Sequence, residues 1–539
     1  MSKVKQRNVF YCSARNSNRF TVSVNIEPLK KVNFKLTYEE LLKRQMSFYT
    51  HAINIDPGQI VHDMSVEVYI NESSPIKNLQ VPVLRESNEI DPQAYSAEDP
   101  YAVIEVTSPN TVCVRWAPTE KQQMELKAEG VKGQLVVRYD LDRAAYPEQI
   151  LVNEGYFVHF FSPEELAPLP KHVIFVIDVS GSMQGRKIEQ VRNAMTRILS
   201  DLSPADFFSF ITFSTDVKVW DLEHPFAVQH SNRFDETLDE TVLKISSVVA
   251  GTSDNINKAK EFVSHLESYA STNIHGALMK ALHVAQLGRE ITYGESEPMI
   301  IFLTDGDANV GESNPDRIVA SVSEENVGGV SIFSLAFGDY ADLDFLKKLS
   351  LKNSGFARKI YEASDAALQL QDFYRQISSP LLVNISFVYT ENQVEEASLS
   401  TTKFNTLFRG SELVVAGKLN SNSVTCAVKA RGVNGTYTSD CSPTIFLEDI
   451  HNNSTPSSME RLWGYLTIQQ LLEKETTGSG NSSAIHERAL NLALRVSVSC
   501  TSPKVLNSTL VGAIPHNFKF PKQHTIMLEL CLVLLCVLT

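Results

Sequence analysis

The chain has 539 residues, a length that predicts two to four domains. Of these residues, 43% are hydrophobic and 21% are charged, a composition typical of a folded protein. Its 63 acidic side chains outnumber 49 basic ones and give a formal net charge of -14 at pH 7. This excess argues against a nucleic-acid-binding protein and against a protein that holds an acidic polymer by bulk electrostatics.

The first third of the chain has the sequence pattern of β structure. Residues 20–27 and 32–37 alternate apolar and polar side chains, as half-buried strands do. The alternation continues over residues 62–160 in runs such as VEVYI and VCVRW, separated by turn sequences such as SPN and DPY. We predict one β segment over residues 1–60 and a second over residues 61–167.

The pattern then changes to buried strands that alternate with helices. Helical apolar spacing follows the first strand, and a further helix is predicted from about Ala366 to Ile377. This alternation predicts a doubly wound parallel-sheet domain over residues 168–380. Its predicted buried strands are the continuous apolar runs at 172–178, 207–213, 299–305 and 330–338.

Beyond residue 380 the pattern predicts strands first and helices afterwards. The runs NISFVYT, ELVVAGKL and SVTCAVKA predict a β-sandwich-like segment over residues 381–455. Two helical runs, joined by the flexible sequence TTGSGNSS, predict a helical hairpin over residues 456–500.

The last segment, residues 501–539, diverges from this pattern and ends in a short apolar run. The run from Ile526 to Leu538 is shorter than the roughly twenty residues of a membrane-spanning helix, and Glu529 interrupts it, so we predict no transmembrane span. A glycosylphosphatidylinositol signal and an alternative terminus are both compatible with it. The predicted fold class is multidomain α/β plus β: a doubly wound parallel-sheet domain flanked by β-rich domains and a C-terminal helical segment.

Oxygen-bearing side chains follow two of the predicted parallel strands. Asp178, Ser180 and Ser182 lie in FVIDVSGSM, Asp305 lies in IIFLTDGDANVGE, and Thr272 lies between them in STNIHGAL. Both acids lie at carboxyl ends of strands, where open α/β sheets place their ligand sites. Two carboxylates and three hydroxyls form a hard donor set that favours Mg²⁺ or Mn²⁺. Such an ion keeps enough positive charge to accept a carboxylate from a protein partner. The alternative is two unrelated turns, each capped by an aspartate.

Neighbouring polar residues could support this site from a second layer. We predict Asp307 and His275 as second-layer candidates, with Glu312 close by. The same residues would be found if the acids were only charges at the start of a helix and His275 were only a hydrogen-bonded surface histidine. No GxSxG, HExxH or Walker motif is present, and Ser180 stands where an aspartyl-phosphate phosphatase needs its second acid. We therefore expect a binding protein with no catalytic residues.

Long stretches of the chain resemble one known family. Residues 168–380 resemble a von Willebrand factor type A domain, and the five oxygen-bearing residues match its metal-ion-dependent adhesion site. The chain as a whole resembles the heavy chains of the inter-alpha-trypsin inhibitor. The stretches that carry this resemblance are LTYEELLKR (36–44), NEGYFVHFFSPE (153–164), TDGDANVGES (304–313), LQLQDFYRQISSPLL (368–382) and MERLWGYLTIQQLLEK (459–474).

The resemblance implies a non-enzymatic protein that binds partners through its metal site. It further implies a hyaluronan-rich matrix, with hyaluronan or chondroitin sulfate and a Kunitz-type serine protease inhibitor chain as partners. Residues 1–60 would be the C-terminal part of a vault/inter-alpha-trypsin (VIT) domain. In this family the aspartate of an Asp-Pro-His motif carries an ester bond to chondroitin sulfate. In this chain the Asp-Pro pairs that begin at Asp56, Asp91 and Asp99 are not followed by histidine. The alternatives are an intracellular scaffold of VIT and type A domains, or a truncated member without an active metal site.

Cysteine and asparagine positions bear on the cellular compartment. Cys426 and Cys441 lie in one β-rich segment and could form a disulfide across neighbouring strands in a secreted protein. The Asn-x-Ser/Thr sequons and the family resemblance favour an extracellular protein. Because no apolar leader follows Met1, we expect that its N-terminus is incomplete here, with a cytoplasmic protein as the alternative. The candidate glycosylation sites are Asn71, Asn384, Asn434, Asn452, Asn453, Asn481 and Asn507.

Overall fold

The computed structural model describes most of the chain between residues 41 and 496, and these residues fall into two compact units. The first unit contains Tyr49–Asp142 and the second Arg143–Arg488. The described ranges are 41–85, 90, 95–143, 148–223, 247–421, 424–440, 444–446, 458–478 and 480–496, together with an antiparallel pair of two-residue strands, Thr21–Val22 and Leu528–Glu529. The predicted strands at 20–27 and 32–37 otherwise lie outside them.

Two three-stranded antiparallel sheets form the first unit. Each sheet turns one face to a shared apolar cluster, which includes Trp116 and Leu135. Val66–Asn71 and Thr111–Trp116 therefore alternate buried residues with more exposed ones, whereas Ala102–Ser108 is largely exposed. One sheet has the order β1-β6-β3 and the other β2-β5-β4. The elements are β1 (Tyr49–Ile55), β2 (Val66–Asn71), β3 (Ile76–Gln80), β4 (Ala102–Ser108), β5 (Thr111–Trp116), α1 (Glu120–Leu126) and β6 (Gly133–Leu141).

A largely parallel sheet is the centre of the second unit. Its order is β11-β10-β9-β13-β14-β15, with β12 also paired to β10. The strands are β9 (Lys171–Asp178), β10 (Phe207–Phe213), β11 (Val217–Val219), β12 (Val249–Ala250), β13 (Glu297–Thr304), β14 (Ser331–Phe337) and β15 (Ala357–Ile360). The helices are α2 (Arg186–Ser200), α3 (Ser253–Ser264), α4 (Ile274–Ile291), α5 (Pro315–Glu325), α6 (Leu343–Lys352) and α7 (Ala366–Ile377).

Burial on both faces explains the continuous apolar runs of these strands. In β9, Val173, Phe175 and Ile177 join the apolar cluster under α2, α3 and α7. The intervening Ile174 and Val176 join the cluster under α4, α5 and α6. Every residue of β9 is buried, as expected for a strand covered by helices on both sides. The predicted doubly wound fold class is therefore confirmed.

The rest of the second unit is β structure followed by helix. The sheet order β17-β16-β19-β20 forms one layer, and the order β18-β8-β7-β21 forms another. The strands are β7 (Glu148–Asn153), β8 (Tyr156–Phe161), β16 (Pro380–Tyr389), β17 (Lys403–Phe408), β18 (Leu413–Lys418), β19 (Cys426–Gly432), β20 (Gly435–Asp440) and β21 (Thr444–Phe446). Because β8 pairs with β18, the segments predicted at 61–167 and 381–455 share one sheet.

Two helices occupy the region predicted to be a helical hairpin. They are α8 (Ser458–Thr477) and α9 (Ser482–Arg495). Among the described residues, no helix combines the length and the apolar character that crossing a membrane requires. The domain boundaries set from the sequence remain predictions, and the apolar end of segment 501–539 lies outside the described residues apart from Leu528–Glu529.

Candidate metal centre

Two neighbouring parallel strands deliver the first residues of the site. Asp178 is the last residue of β9, and Thr304 is the last residue of β13. The two strands pair in register up to Ile177 and Leu303, so their carboxyl ends meet at one edge of the sheet. The loops that follow these strands carry Ser180, Ser182 and Asp305.

The Asp178 carboxylate is buried and held by hydrogen bonds to both oxygens. The Ser180 amide donates to Oδ1 over 2.8 Å, and the Thr304 hydroxyl donates to Oδ2 over 2.6 Å. Burial raises the pKa of Asp178, and the nearby Asp305 raises it further, while the hydrogen bonds from Ser180 and Thr304 act in the opposite direction. The carboxylate is therefore fixed in orientation in a place where positive charge would stabilise it.

A hydrogen-bonded row of oxygens leads from Ser180 to Asp305. The Ser180 and Ser182 hydroxyl oxygens lie 3.0 Å apart, and the Ser182 hydroxyl donates to Asp305 Oδ1 over 2.7 Å. Because the Ser182 proton points to the carboxylate, Ser182 accepts the hydrogen bond from Ser180. The structure thus brings together four of the five residues predicted from the sequence.

The fifth residue, Thr272, lies in a third loop, which is hydrogen-bonded to the two loops that follow β9 and β13. Its amide donates to Asn309 Oδ1 over 2.6 Å, and its carbonyl accepts the amides of Asn309 and Val310. Two residues earlier, the Ala270 carbonyl accepts the Gly181 amide over 3.0 Å. The Thr272 loop is therefore fastened on one side to the loop of Ser180 and on the other to the loop of Asp305.

The structure adds Lys187, which the sequence analysis did not identify. Its ammonium donates to Asp305 Oδ2 over 2.6 Å, so both oxygens of this carboxylate have a partner. A signal was available: α2 begins at Arg186, and a lysine in the first turn opposes the helix dipole unless a carboxylate lies nearby.

Of the second-layer candidates, His275 and Glu312 have other partners in the structure. His275 Nε2 lies 3.0 Å from the Ser321 hydroxyl of α5, and Asp307 is exposed. Glu312 accepts the Asn314 amide over 2.9 Å, and this bond lowers the pKa of Glu312. That contact fits a turn-forming role just before α5. A second-layer role for Asp307 and His275 remains a prediction.

Among the described residues, Glu148, His159 and Cys426 form a further group of potential metal ligands. His159 Nε2 lies 3.1 Å from Glu148 Oε2, whereas its Nδ1 faces the Tyr389 hydroxyl at 3.1 Å and Cys426 Sγ at 3.6 Å. The glutamate and the cysteine thus contact opposite nitrogens of one ring, which a single ion cannot bridge. Cys426 is also disulfide-bonded, so it offers no thiolate. We therefore assign this group a structural role in the β layers.

The disulfide and glycosylation candidates are only partly within the described residues. Cys441, the predicted partner of Cys426, lies outside them, and so do Asn452, Asn453 and Asn507. The described sequon asparagines are all exposed: Asn71, Asn384, Asn434 and Asn481.

The parallel-sheet domain belongs to the von Willebrand factor type A class. Residues 172–376 match the family model of the von Willebrand factor type A domain. Among solved structures, a von Willebrand factor type A protein from Catenulispora acidiphila covers 66% of this chain and 90% of its own, at 13% identity and a TM-score of 0.43.

Curated relatives identify the wider family. Inter-alpha-trypsin inhibitor heavy chain H4 of Homo sapiens is 37% identical over 511 residues, which cover 92% of this chain and 51% of the relative. Heavy chain H3 of Homo sapiens is 35% identical over 513 residues, which cover 92% of this chain and 53% of the relative. The chain therefore spans about half the length of the curated relatives it matches. It is a homologue of the inter-alpha-trypsin inhibitor heavy chains, and the family recognised in its sequence is confirmed.

Proposed function

We propose that this chain is a non-enzymatic, extracellular heavy-chain-type protein that recruits partners through a bound divalent cation. The ion would be Mg²⁺ or Mn²⁺, and the partner would contribute an acidic side chain. One observation carries the proposal: the row of oxygens from Ser180 through Ser182 to Asp305, beside Asp178 at one sheet edge. The proposed ligands are Asp178, Ser180, Ser182, Thr272 and Asp305.

The donor set fits a hard divalent cation. All five side chains offer oxygen, the atom that Mg²⁺ and Mn²⁺ prefer. Asp178 and Asp305 are almost completely buried, and a buried carboxylate is costly unless a positive charge lies beside it. The raised pKa of Asp178 reflects the same cost. A cation at this position would offset it.

The chain's own residues would hold the ligands in place. The Ser180 amide and the Thr304 hydroxyl orient Asp178, and Asn309 fixes the backbone of Thr272. Such supporting contacts position ligands in most metal sites. When bound, the ion would supply a positive charge for a carboxylate of the partner, because three of its five ligands are neutral hydroxyls.

The extracellular part of the proposal is supported by Cys426, which is disulfide-bonded, as cysteines in oxidising compartments usually are. It favours an extracellular protein over the cytoplasmic alternative. By resemblance to the heavy chains, we propose a hyaluronan-rich matrix as the setting, with hyaluronan or chondroitin sulfate and a Kunitz-type inhibitor chain as candidate partners.

Thermal unfolding of the full chain in millimolar Mg²⁺ and in EDTA tests the metal site. An ion that binds only the folded state stabilises it by about 2.7 kcal/mol when the ion concentration is a hundred times its dissociation constant. We expect Mg²⁺ to raise the melting temperature of the wild type and not that of Asp178→Ala.

Asp344→Ala is the matched control, because this aspartate of α6 is almost fully exposed and its removal should leave the Mg²⁺ effect intact. A folded wild type that melts identically in Mg²⁺ and EDTA would contradict the proposal.

A further inference from the structure

We propose that Lys187 is an internal counter-ion of the metal centre, displaced when a divalent cation binds. In the metal-free chain its ammonium neutralises Asp305. Cation binding is then an exchange in which Asp305 passes from the lysine to the ion. This inference rests on the proposed function and adds to it the residue that sets the affinity of the site.

The contact between Lys187 and Asp305 differs from a surface ion pair. The Nζ–Oδ2 distance is 2.6 Å, the lysine side chain is 13% exposed, and the aspartate is fully buried. The pair between Lys348 and Asp316 is similarly short, at 2.7 Å, but its aspartate is 78% exposed. Water can replace Lys348 as the partner of its carboxylate, whereas Asp305 depends on Lys187 for positive charge.

The position of Lys187 in its helix supports the same conclusion. It lies in the first turn of α2, where the helix dipole disfavours a cation, and Gly185 at the N-cap offers no side chain to offset the exposed amides. A carboxylate is the group that stabilises a lysine at this place.

A glycine and a second carboxylate border the end of the Lys187 side chain. A Cβ at Gly338 would lie 3.6 Å from Glu362 Oε2, 3.8 Å from Lys187 Cε and 3.9 Å from Lys187 Nζ, so this glycine borders the end of the lysine side chain. Gly338 has a φ of 81°, a conformation that favours glycine.

The same geometry makes Lys187 a competitor of a metal ion. Ser182 donates to Asp305 Oδ1 and Lys187 donates to Oδ2, so an ion that takes Asp305 as a ligand comes close to both partners. A hydroxyl such as that of Ser182 can itself coordinate the ion, whereas an ammonium has no free electron pair and is repelled by it. Lys187 is therefore the partner that leaves.

Calorimetric titration of the full chain with Mg²⁺, and separately with Mn²⁺, measures the competition. Lys187→Met keeps most of the side-chain length and removes the charge, and we expect it to bind either ion at least tenfold more tightly than the wild type. Lys348→Met removes the same charge from the exposed pair with Asp316 and should bind within about twofold of the wild type. Lys187→Arg retains the charge, and we do not expect it to bind either ion tenfold more tightly than the wild type.

Two further readouts separate displacement from a general charge effect. In EDTA, Lys187→Met should melt below the wild type because Asp305 loses its cation, and in saturating Mg²⁺ this difference should shrink. In the wild type, Mg²⁺ should raise the rate at which an amine-reactive reagent labels Lys187, measured by mass spectrometry, and leave Lys348 unchanged.

The outcomes are distinct. Tighter binding by Lys187→Met together with faster labelling of Lys187 in the wild type supports the exchange. Wild-type affinity in Lys187→Met overturns the inference while leaving the metal site intact. Tighter binding without any change in labelling overturns displacement. If neither the wild type nor Lys187→Met binds Mg²⁺ or Mn²⁺, the proposed function fails and this inference fails with it.

Discussion

His172 is a neutral histidine inside the parallel-sheet domain. Its Nε2 lies 2.8 Å from the Ser209 hydroxyl, which gives its own proton to the Ser247 carbonyl, so Nε2 must be the protonated nitrogen. Nδ1 has no hydrogen-bond partner among the described residues and faces Gly288, where a Cβ would overlap it. Burial lowers the pKa of His172 to about 3.

His172 should therefore make the domain less stable as the pH falls. The folded pKa is below the unfolded value of 6.5, so the unfolded chain binds the proton more readily. The contribution is fully present above pH 6.5 and is lost towards pH 3, at up to about 1.4 kcal/mol per pH unit. Calorimetry of the full chain at pH 7.5, 6.5 and 5.5 should show a smaller decline for His172→Leu than for the wild type. Equal declines would contradict this assignment, whatever the absolute stabilities.

Trp463 anchors helix α8 to the β layers of the second unit. Trp463 donates its indole N–H to the Ser398 carbonyl over 2.7 Å, and its ring lies 5.4 Å from that of Tyr156 in β8. The Lys418 ammonium lies above both rings, and the Tyr156 hydroxyl donates to Glu460 in the first turn of α8. One side chain therefore combines apolar burial, a hydrogen bond and a cation–π contact.

Replacing Trp463 should loosen this helix. Trp463→Ala removes a buried aromatic side chain, and we expect a loss of about 3–5 kcal/mol in unfolding free energy. Trp463→Phe keeps an aromatic ring beside Tyr156 and loses chiefly the hydrogen bond to Ser398, which costs about 1 kcal/mol. Hydrogen exchange of the α8 amides, measured with thermal unfolding, should rank the wild type, the phenylalanine variant and the alanine variant in that order. Equal protection in the two variants would contradict this account.

Local pattern predicted the elements well and their distant pairings poorly. The helix Ala366–Ile377 and the strand Phe207–Phe213 have the bounds expected from their apolar spacing, because burial sets the local period. The strand-end rule likewise predicts Asp178 and Asp305 at carboxyl ends of strands, and the register of β9 and β13 brings these two ends to one edge of the sheet. The pairing of β8 with β18 was not predicted, because the pairing of strands some 250 residues apart leaves no periodic trace in either. Lys187 was missed because its role depends on a carboxylate 118 residues away.

At the scale of the whole molecule, the net charge explains why a metal ion would be useful. A chain of charge -14 repels an acidic partner at distances up to about 10 Å at ordinary ionic strength. The proposed cation would reverse the sign of the potential at one place only, so an acidic side chain would be attracted to that point and repelled elsewhere. This would give orientation as well as affinity, which is the usual benefit of electrostatic complementarity.

The compartment is testable on the whole chain as well. The sequon asparagines Asn71, Asn384, Asn434 and Asn481 are exposed on folded parts of the chain, and Cys426 is disulfide-bonded. For a protein of the secretory pathway we expect peptide mapping of the full chain, expressed in mammalian cells behind a secretory leader, to find glycans at such sites and Cys426 joined to Cys441. Thr436→Ala abolishes the Asn434 sequon while keeping the asparagine, and should remove that glycan alone. Unmodified asparagines with a reduced Cys426 would instead favour the intracellular scaffold, because a cytoplasmic protein has neither the glycosylation machinery nor the oxidising conditions that both modifications require.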